Sequence, residues 1–389
     1  MDLDLTPQQQ AFRDEVRAWL GDNVPQHPRP RDGRAAREFD LAWQARQHEA
    51  GWAGISWPTE FGGRGLSTIQ QLIWYEEYAR ADAPDDVNCC FVGLNHGGPT
   101  LMAHGSEQQK AHHLPRILRG EAVWCQGFSE PDAGSDLASL RTAGVIDGDE
   151  LVVTGQKIWS SYADVADHQE LLVRTEPGSE RHRGLTWVIL DMDTPGVEVR
   201  PIRNMAGDLE FCEVFYDAVR IPLGDVVGEP GQGWTVAMST LSFERGTAFA
   251  ATQVRLARHV DALVDLARQT PGVDGRPAIE DRAIAERLAM AQAEVTALGA
   301  MTAAGVSRVE RTGVPGAQGS MVRVMHSELS QRVHALAMDV LGPRGLALDA
   351  PAGWTHRYLY EFAATIGGGT SQIQREIIAE RVLGLPRSR

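Results

Sequence analysis

Helical patterns of apolar and polar residues occupy the first part of the chain. Apolar side chains recur there on one helical face, at Phe12, Val16, Trp19 and Leu20. Thr6 and Gln9 have the spacing of a capping box, so they predict the start of this helix, and Gly21 predicts its end. Comparable patterns predict further helices over residues 34–50 and 68–81.

Short apolar runs separated by turn residues replace this pattern from residue 122 to about 228. Residues 145–153 form two such runs around Asp147 and Gly148, which is a strong signal for a β-hairpin. Further strand candidates lie at 185–192, 197–202 and 211–221. This spacing of strands and turns predicts an antiparallel barrel or sandwich.

Helical stripes return after Gly233 and Trp234. The longer stripe consists of Val322, Met325, Leu329, Val333, Leu336 and Val340, and the shorter one of Ile373, Ile377, Ile378 and Val382. The chain as a whole therefore predicts an α+β fold. Its three parts are an N-terminal helical domain (1–121), a middle antiparallel β-barrel or sandwich domain (122–228) and a C-terminal helical bundle (229–389).

The charge of the chain narrows its choice of partners. Lys and Arg total 37 and Asp and Glu total 52 over 389 residues, giving a formal net charge of −15. This balance argues against nucleic acid or an anionic membrane surface as the main partner. There is no apolar run of about 18 residues, which a membrane span needs, and residues 1–4 lack the basic start of a signal peptide.

Cysteine and histidine spacing gives no sign of a disulfide framework or a metal site. The four cysteines are Cys89, Cys90, Cys125 and Cys212, and none of them forms a CxxC pair. We expect reduced thiols in a cytoplasmic protein. His112 and His113 are adjacent, so on a helix their rings would point ~100° apart and would not chelate one ion.

Several common catalytic motifs are absent from the sequence. There is no GxGxxG after a strand, no P-loop and no GxSxG nucleophile elbow. The most informative segment is 126–136, which contains small residues, hydroxyls and an amide. Such a loop lets backbone N–H groups approach a flat or phosphorylated ligand, although a simple polar connecting turn has the same composition.

Segment 126–136 strongly resembles the signature of acyl-CoA dehydrogenases, which runs from the flavin edge to the thioester channel. Segments 155–161 and 369–375 match two further motifs of that family, in the same order and at the family's spacing. The resemblance covers nearly the whole chain and agrees with the helix–β–helix prediction. It implies a dehydrogenase that uses FAD.

The resemblance also implies a catalytic base. In the family a carboxylate removes the α-proton of an acyl-CoA while a hydride leaves the β-carbon for the flavin. Many relatives carry this Glu at the position of Gly368, whereas isovaleryl- and long-chain-type members carry it where this chain has Glu244. We therefore hypothesise that Glu244 is the base; the alternative is an ordinary solvent-exposed glutamate.

Residues that match the family's contacts are carried over in the same way. For FAD these are Gln126, Phe128, Ser129, Trp159, Ser161, Thr370 and Gln372. For the acyl-CoA they are Ser135, Arg245 and Gly368. The family holds the thioester oxygen with the backbone N–H at position 368, and a glycine there leaves room for a branched or bulky acyl group.

Two segments depart from the family pattern where relatives bind flavin pyrophosphate across a subunit boundary. Pro271 and Asp274 replace an Arg and a Phe, and Asp339 replaces a Gln. A carboxylate facing a pyrophosphate is electrostatically unfavourable. Either other donors such as Arg268 or Arg344 hold FAD, or the chain pairs with a different, complementary subunit.

The expected activity is α,β-dehydrogenation of an acyl-CoA to the trans-2-enoyl-CoA, with electrons passed to an electron-transfer flavoprotein. The resemblance implies a homo-oligomer, a tetramer or dimer, with a heteromeric assembly as the alternative. An acyl-CoA oxidase, a flavin monooxygenase and a non-catalytic subunit remain competing interpretations. The identity of the acyl group stays open.

Overall fold

The computed structural model describes residues 5–31, 33–243, 250–313, 316–348 and 353–386. The helices are α1 (Pro7–Asn23), α2 (Gly33–Glu49), α3 (Thr68–Arg80), α4 (Gly98–His104), α5 (Glu107–Leu118), α6 (Gly233–Phe243), α7 (Ala250–Gln269), α8 (Arg282–Thr312), α9 (Gly319–Leu341), α10 (Trp354–Tyr360) and α11 (Ser371–Ile377). The strands are β1 (Trp124–Gly127), β2 (Ala143–Asp147), β3 (Glu150–Ser161), β4 (His168–Arg174), β5 (Leu185–Asp191), β6 (Val197–Ile202), β7 (Phe211–Pro222) and β8 (Val226–Val227). Helices therefore precede and follow the strands, which confirms the predicted fold class.

The predicted elements appear where the patterns placed them, with one difference at the first helix. The Thr6 hydroxyl accepts the Gln9 N–H and the Gln9 side chain accepts the Thr6 N–H, so the capping box is formed. The prediction that Gly21 ends α1 is wrong, because the helix continues to Asn23. The Val24 N–H still bonds the Leu20 carbonyl, and one interior glycine costs a helix only about 1 kcal/mol.

The chain divides into two compact units. The first, here called the helical unit, contains the described residues of Met1–Val24, Ser67–Ala83 and Thr247–Arg389. Its core is formed mainly by α7, α8 and α9, with Leu263, Leu298 and Leu336 among the fully buried side chains. Relative to the predicted division at 121 and 228, this grouping joins α1 and α3 to the C-terminal helices; the three-domain boundaries stay a prediction.

The second unit, here called the sheet unit, contains the described residues of Pro25–Leu66 and Pro84–Gly246. Eight described strands form one sheet in the order β6-β7-β3-β2-β4-β5-β8, and β1 pairs in parallel with β4. The predicted hairpin joins β2 to β3 through Gly148, whose φ of 66° suits glycine at a tight turn. The sheet places the end of β1 close to β3 and β4.

Candidate functional site

The predicted site residues fall into two groups, one in each unit. Gln126 lies in β1, and Phe128, Ser129 and Ser135 follow it in a loop (here the β1 loop). Trp159 and Ser161 lie near the end of β3. Gly368, Thr370 and Gln372 lie in the helical unit, immediately before and within α11. Glu244 and Arg245 are outside the described residues.

A buried ion pair joins the β1 loop to β3. The Lys157 Nζ donates to the Phe128 carbonyl at 2.9 Å and to the Glu130 carboxylate at 2.8 Å. The Ile158 N–H donates to the Ser129 carbonyl at 2.9 Å. Two of the three segments that carry the family resemblance are therefore held together around Ser129.

Glu130 is a structural carboxylate because three donors of the protein bond its two oxygens. Its two oxygens accept the backbone N–H groups of Arg141 at 2.7 Å and Thr142 at 2.8 Å, in addition to Lys157. Burial alone would raise the pKa of Glu130, but the Lys157 ammonium and these hydrogen bonds outweigh it and lower the pKa. Glu130 is thus ionised at neutral pH, and its carboxylate is engaged by Lys157, Arg141 and Thr142.

Trp159 presents its ring to the surface through an irregularity in the sheet. The β3–β7 register shifts between Lys157 and Ser160, and Trp159 itself has a φ of 64°. Such a bulge re-aims the side chain out of the normal alternation. The indole is 57% exposed, with Phe211 edge-on at a centroid distance of 6.1 Å.

These features test whether a flavin suits the site. A tryptophan left mostly exposed in a strained backbone conformation indicates a functional constraint. A flat aromatic cofactor with polar edges would cover the indole of Trp159 and meet the hydroxyls of Ser129 and Ser161, which are partly exposed. The residues present in the sheet unit therefore fit the isoalloxazine ring of FAD.

Gln126 belongs to a buried polar network that extends to β4 and to a π-helical turn at Gly93–Gly97. Its Nε2 donates to the Glu170 carboxylate at 2.8 Å, and the His96 Nδ1 lies 3.2 Å from the same oxygen. With its nitrogen on a carboxylate, the Gln126 amide directs its oxygen away from Glu170. Glu170 thus sets which amide atom Gln126 can offer to a ligand.

Helix α6, which ends immediately before Glu244, is fastened to α4. The Thr240 and Thr100 hydroxyls share a hydrogen bond of 2.8 Å, and both residues are buried. Ser239 and His104 share another at 2.9 Å. The last described turns of α6 are therefore held by side chains of α4.

In the helical unit, a glycine segment leads into α11. Gly368 and Gly369 have φ values of 64° and 89°, in the left-handed region that favours glycine. Their backbone is held by Gln374, which donates to the Gly368 carbonyl at 3.1 Å, and by Arg323, which donates to the Gly367 carbonyl at 2.6 Å. The Thr370 hydroxyl caps α11 by accepting the Ile373 N–H, and Gln372 is exposed.

The two aspartates that depart from the family pattern each have a cationic partner. Asp339 pairs with Arg287 at 2.6 Å, and Asp274 with Arg276 at 2.6 Å. Arg268, one of the alternative donors, pairs with Asp265 at 2.9 Å. The pairing reduces the repulsion that an aspartate alone would exert on a pyrophosphate.

An open cleft of about 350 Å³ borders the β1 loop. Its walls include Asp132, Ser139, Arg141 and Gln156 along with Glu130. Pro131 and Ala133 also line the cleft, so its walls combine apolar surface with charges of both signs.

The described residues contain neither a membrane-spanning helix nor a cluster of metal-binding side chains. No helix in them is long and apolar enough to cross a membrane. They also contain no group of three or more His, Cys, Asp or Glu residues that could hold a metal ion.

Sequence reasoning missed Lys157, Glu130, Glu170 and His96. Lys157 and Glu130 stand inside the motifs, so their position in a motif was the available signal, whereas Glu170 lies in a strand with several other polar residues and does not stand out. No sequence pattern singled out His96.

The chain has helical segments on both sides of a β segment and an exposed indole at Trp159. This combination is typical of a class of flavin-dependent dehydrogenases. The chain belongs to the acyl-CoA dehydrogenase family, whose members are FAD-dependent oxidoreductases. The family's N-terminal domain matches residues 6–121, its middle domain 125–219 and its C-terminal domain 231–383.

Individual relatives agree with this assignment. Acyl-CoA dehydrogenase IpdE1 of Mycobacterium tuberculosis is 45% identical, with 97% of each chain covered. Among solved structures, the Tcur3481-Tcur3483 steroid ACAD matches with a TM-score of 0.87 at 32% identity, over 100% of both chains. One chain of the ChsE4-ChsE5 complex from Mycobacterium tuberculosis matches with a TM-score of 0.83 at 33% identity, and the match covers 100% of this chain and 100% of that chain.

Proposed function

We propose that this chain binds FAD and removes the α and β hydrogens of a bulky acyl-CoA thioester, leaving the trans-2-enoyl-CoA. The observation that carries the proposal is the arrangement around Ser129, where a buried ion pair holds the β1 loop against β3 beside the exposed indole of Trp159. Bound FAD supplies a hydride acceptor for the β-hydrogen.

The remaining chemistry is assigned to residues of this chain. Glu244 is proposed to take the α-proton, because Gly368 offers no carboxylate at the other position used in the family. The Gly368 N–H is proposed to stabilise the charge that develops on the thioester oxygen. Phe128, Ser129, Trp159 and Ser161 are proposed to contact the flavin ring, with Gln126 beside it. Thr370 and Gln372 are proposed to contact the rest of the cofactor.

Ser135 and Arg245 are proposed to contact the acyl-CoA. A bulky acyl group is supported by Gly368, which puts no side chain beside the reacting carbons. It is also supported by the relative whose name describes it as a steroid ACAD. A polycyclic, steroid-derived acyl group is therefore the proposed substrate class.

The proposed electron acceptor is an electron-transfer flavoprotein. An oxidase would instead pass its electrons to oxygen, and rapid aerobic release of hydrogen peroxide would distinguish it. The cytoplasm is the proposed compartment, which the four buried, unpaired cysteines support.

The test is an anaerobic titration of the purified flavoprotein with short-chain, branched and polycyclic acyl-CoA thioesters. We expect the oxidised flavin absorbance to bleach most readily with a bulky thioester. Glu244→Gln should keep the flavin but lower the bleaching rate by about 10²- to 10⁴-fold, the usual contribution of a general base. Glu310→Gln, an exposed glutamate on α8, is the matched control.

Two results would contradict the proposal. A Glu244→Gln variant with most of the wild-type rate would exclude this residue as the base. A linear short-chain thioester that outperforms every bulky one by a wide margin would exclude the proposed acyl group.

A further inference from the structure

Lys157 is the most deeply buried cation among the described residues, with 0% exposure. Its ammonium contacts two groups of the β1 loop, the Phe128 carbonyl and the Glu130 carboxylate, at 2.9 and 2.8 Å. The pair therefore crosses from β3 to a loop 27 residues earlier in the chain.

The same pair controls the backbone on both sides of Ser129. Lys157 holds the Phe128 carbonyl before it, and Glu130 after it is fixed by Arg141, Thr142 and Lys157. The Ser129 carbonyl is held by the N–H of Ile158, the residue next to the strained Trp159. The position of the Ser129 hydroxyl and the conformation of Trp159 therefore depend on one clamp.

A buried ion pair is a poor way to gain stability. Removing two charges from water costs about as much as their attraction returns, so apolar side chains of similar size are often as stable. The ion pair instead fixes the geometry of the loop, because the ammonium and the carboxylate hold three backbone groups, the Phe128 carbonyl and the N–H groups of Arg141 and Thr142. The arrangement thus suits a positioning role better than a stabilising one.

We propose that Lys157 and Glu130 are positioning residues that hold Ser129 and Trp159 in the geometry that binds the flavin ring. This inference rests on the proposed function for the identity of the ligand. Neither residue touches the cofactor in this proposal; both act through the β1 loop.

The pair also makes cofactor binding sensitive to pH. Burial lowers the pKa of Lys157 to about 8, although Glu130, the charged group facing it from the β1 loop, opposes this shift. Tyr216 on β7 also interacts electrostatically with Glu130, but burial raises its pKa, so it stays neutral. As pH rises through about 8, Lys157 becomes neutral and its charge-assisted bonds weaken. The affinity for FAD should therefore fall over that range.

The experiment measures FAD affinity by flavin fluorescence in the full chain, from pH 6.5 to 9.5. Lys157→Met should weaken FAD binding roughly 10- to 100-fold at pH 7, the value of one or two charge-assisted hydrogen bonds. Its remaining affinity should be independent of pH near 8. The control is Lys110→Met, which removes a surface pair with Glu107 at 3.0 Å and should leave both quantities unchanged.

A second variant guards against simple misfolding. Lys157→Met combined with Glu130→Leu removes both charges, so no carboxylate is left buried without its cation. We expect it to unfold somewhat below the wild-type temperature, because the N–H groups of Arg141 and Thr142 lose their acceptor, and still to bind FAD weakly. Wild-type affinity in this double variant, or a wild-type pH profile in Lys157→Met, would overturn the inference.

A readout without cofactor separates this inference from the proposed function. In the apo chain, amide hydrogen exchange over residues 128–133 and 158–159 should accelerate at least about tenfold in both variants, with the rest of β3 unchanged. Unchanged exchange would overturn the positioning role even if the wild-type chain bound no flavin. Conversely, if the wild type binds FAD and is bleached by an acyl-CoA, and both variants behave like the wild type, the inference is wrong while the proposed function stands.

Discussion

At the scale of single residues, the candidate site depends on backbone conformations that most side chains avoid. Trp159 and Gly368 both have a φ of 64°. For the tryptophan this is a cost of order 1–2 kcal/mol, which the bulge in β3 imposes. For the glycine this conformation has no steric cost, because it lacks a Cβ. The absence of a side chain also leaves space beside residue 368.

Gly368→Ala tests what that space is for. The new Cβ should cost about 1 kcal/mol of stability because the left-handed conformation disfavours it. It should also reduce the rate for a bulky thioester at least about tenfold more than the rate for a short linear one, because the new methyl group would take space that only the bulky acyl group needs, and one methyl group is worth about 1–3 kcal/mol. Stopped-flow reduction of the flavin with both thioesters measures this ratio.

Gly148→Ala is the matched control for backbone strain. Gly148 has a φ of 66° at the tip of the β2–β3 hairpin, and a Cβ there would contact nothing within 4 Å. It should lose similar stability and keep the wild-type ratio of rates. Equal slowing of both thioesters by Gly368→Ala would mean that residue 368 does not determine acyl size.

At the scale of elements, α5, β1 and β4 meet through aromatic rings in contact. His113 on α5 lies edge-on to Trp124 of β1 at 5.1 Å and to His168 of β4 at 4.9 Å. Burial, together with electrostatic interactions with His168, His112 and Arg116, lowers the pKa of His113 to about 3. Burial also lowers the pKa of His168, against the opposing effect of Asp191 and Asp167.

This contact should make the sheet unit sensitive to acid. A histidine whose folded pKa is lowered must gain its proton on unfolding at any pH between its folded and unfolded pKa values. The contribution to stability is therefore intact above about 6.5 and is lost as pH falls towards 3. We expect His113→Phe, which keeps a ring against Trp124, to retain more stability at pH 5 than the wild type.

Thermal unfolding at pH 7 and pH 5 measures the effect. The fall in Tm between the two should be smaller in His113→Phe by roughly 2–4 °C, equivalent to about 1 kcal/mol. His27→Phe in the same unit is the control, since His27 is exposed and is not among the groups that act on His113. An identical fall in wild type and His113→Phe would show that other groups cause the acid sensitivity.

At the scale of the whole molecule, the open question is what this chain assembles with. The segments that in the family reach across a subunit boundary are altered here at Pro271, Asp274 and Asp339. These departures keep a hetero-oligomer with a second chain as the alternative to the expected homo-oligomer.

A tagged copy of this chain, purified from its source organism, tests the assembly. Native mass spectrometry should find a single polypeptide with one FAD per chain, because the proposed function places FAD on this chain. Two different polypeptides in one complex, with fewer than one FAD for each chain, would support the heteromeric alternative. The untagged strain is the control for nonspecific capture. A single polypeptide that retains one FAD per chain would contradict the heteromer and favour FAD held by donors of this chain alone.

The sequence by itself determined the elements and their order. Capping signals at Thr6 and Gln9, the turn at Gly148 and the apolar stripe of α9 depend on residues a few positions apart, so local patterns suffice to find them. The motifs likewise predicted Ser129, Trp159 and Gly368 as site residues, and these assignments stay predictions. The end of α1 was misplaced because continued hydrogen bonding outweighed the low helix propensity of Gly21.

Only the tertiary structure decided which side chains act on one another. Lys157 meets Glu130 across 27 residues and Gln126 meets Glu170 across 44, while Arg287 pairs with Asp339 across 52. Such contacts follow from strand register and burial, which are set by the packing of the entire unit and leave no short-range pattern. Those contacts determine the pKa of each titratable side chain and whether it already has a partner within the protein. The electrostatics of the site therefore became visible only in the folded chain.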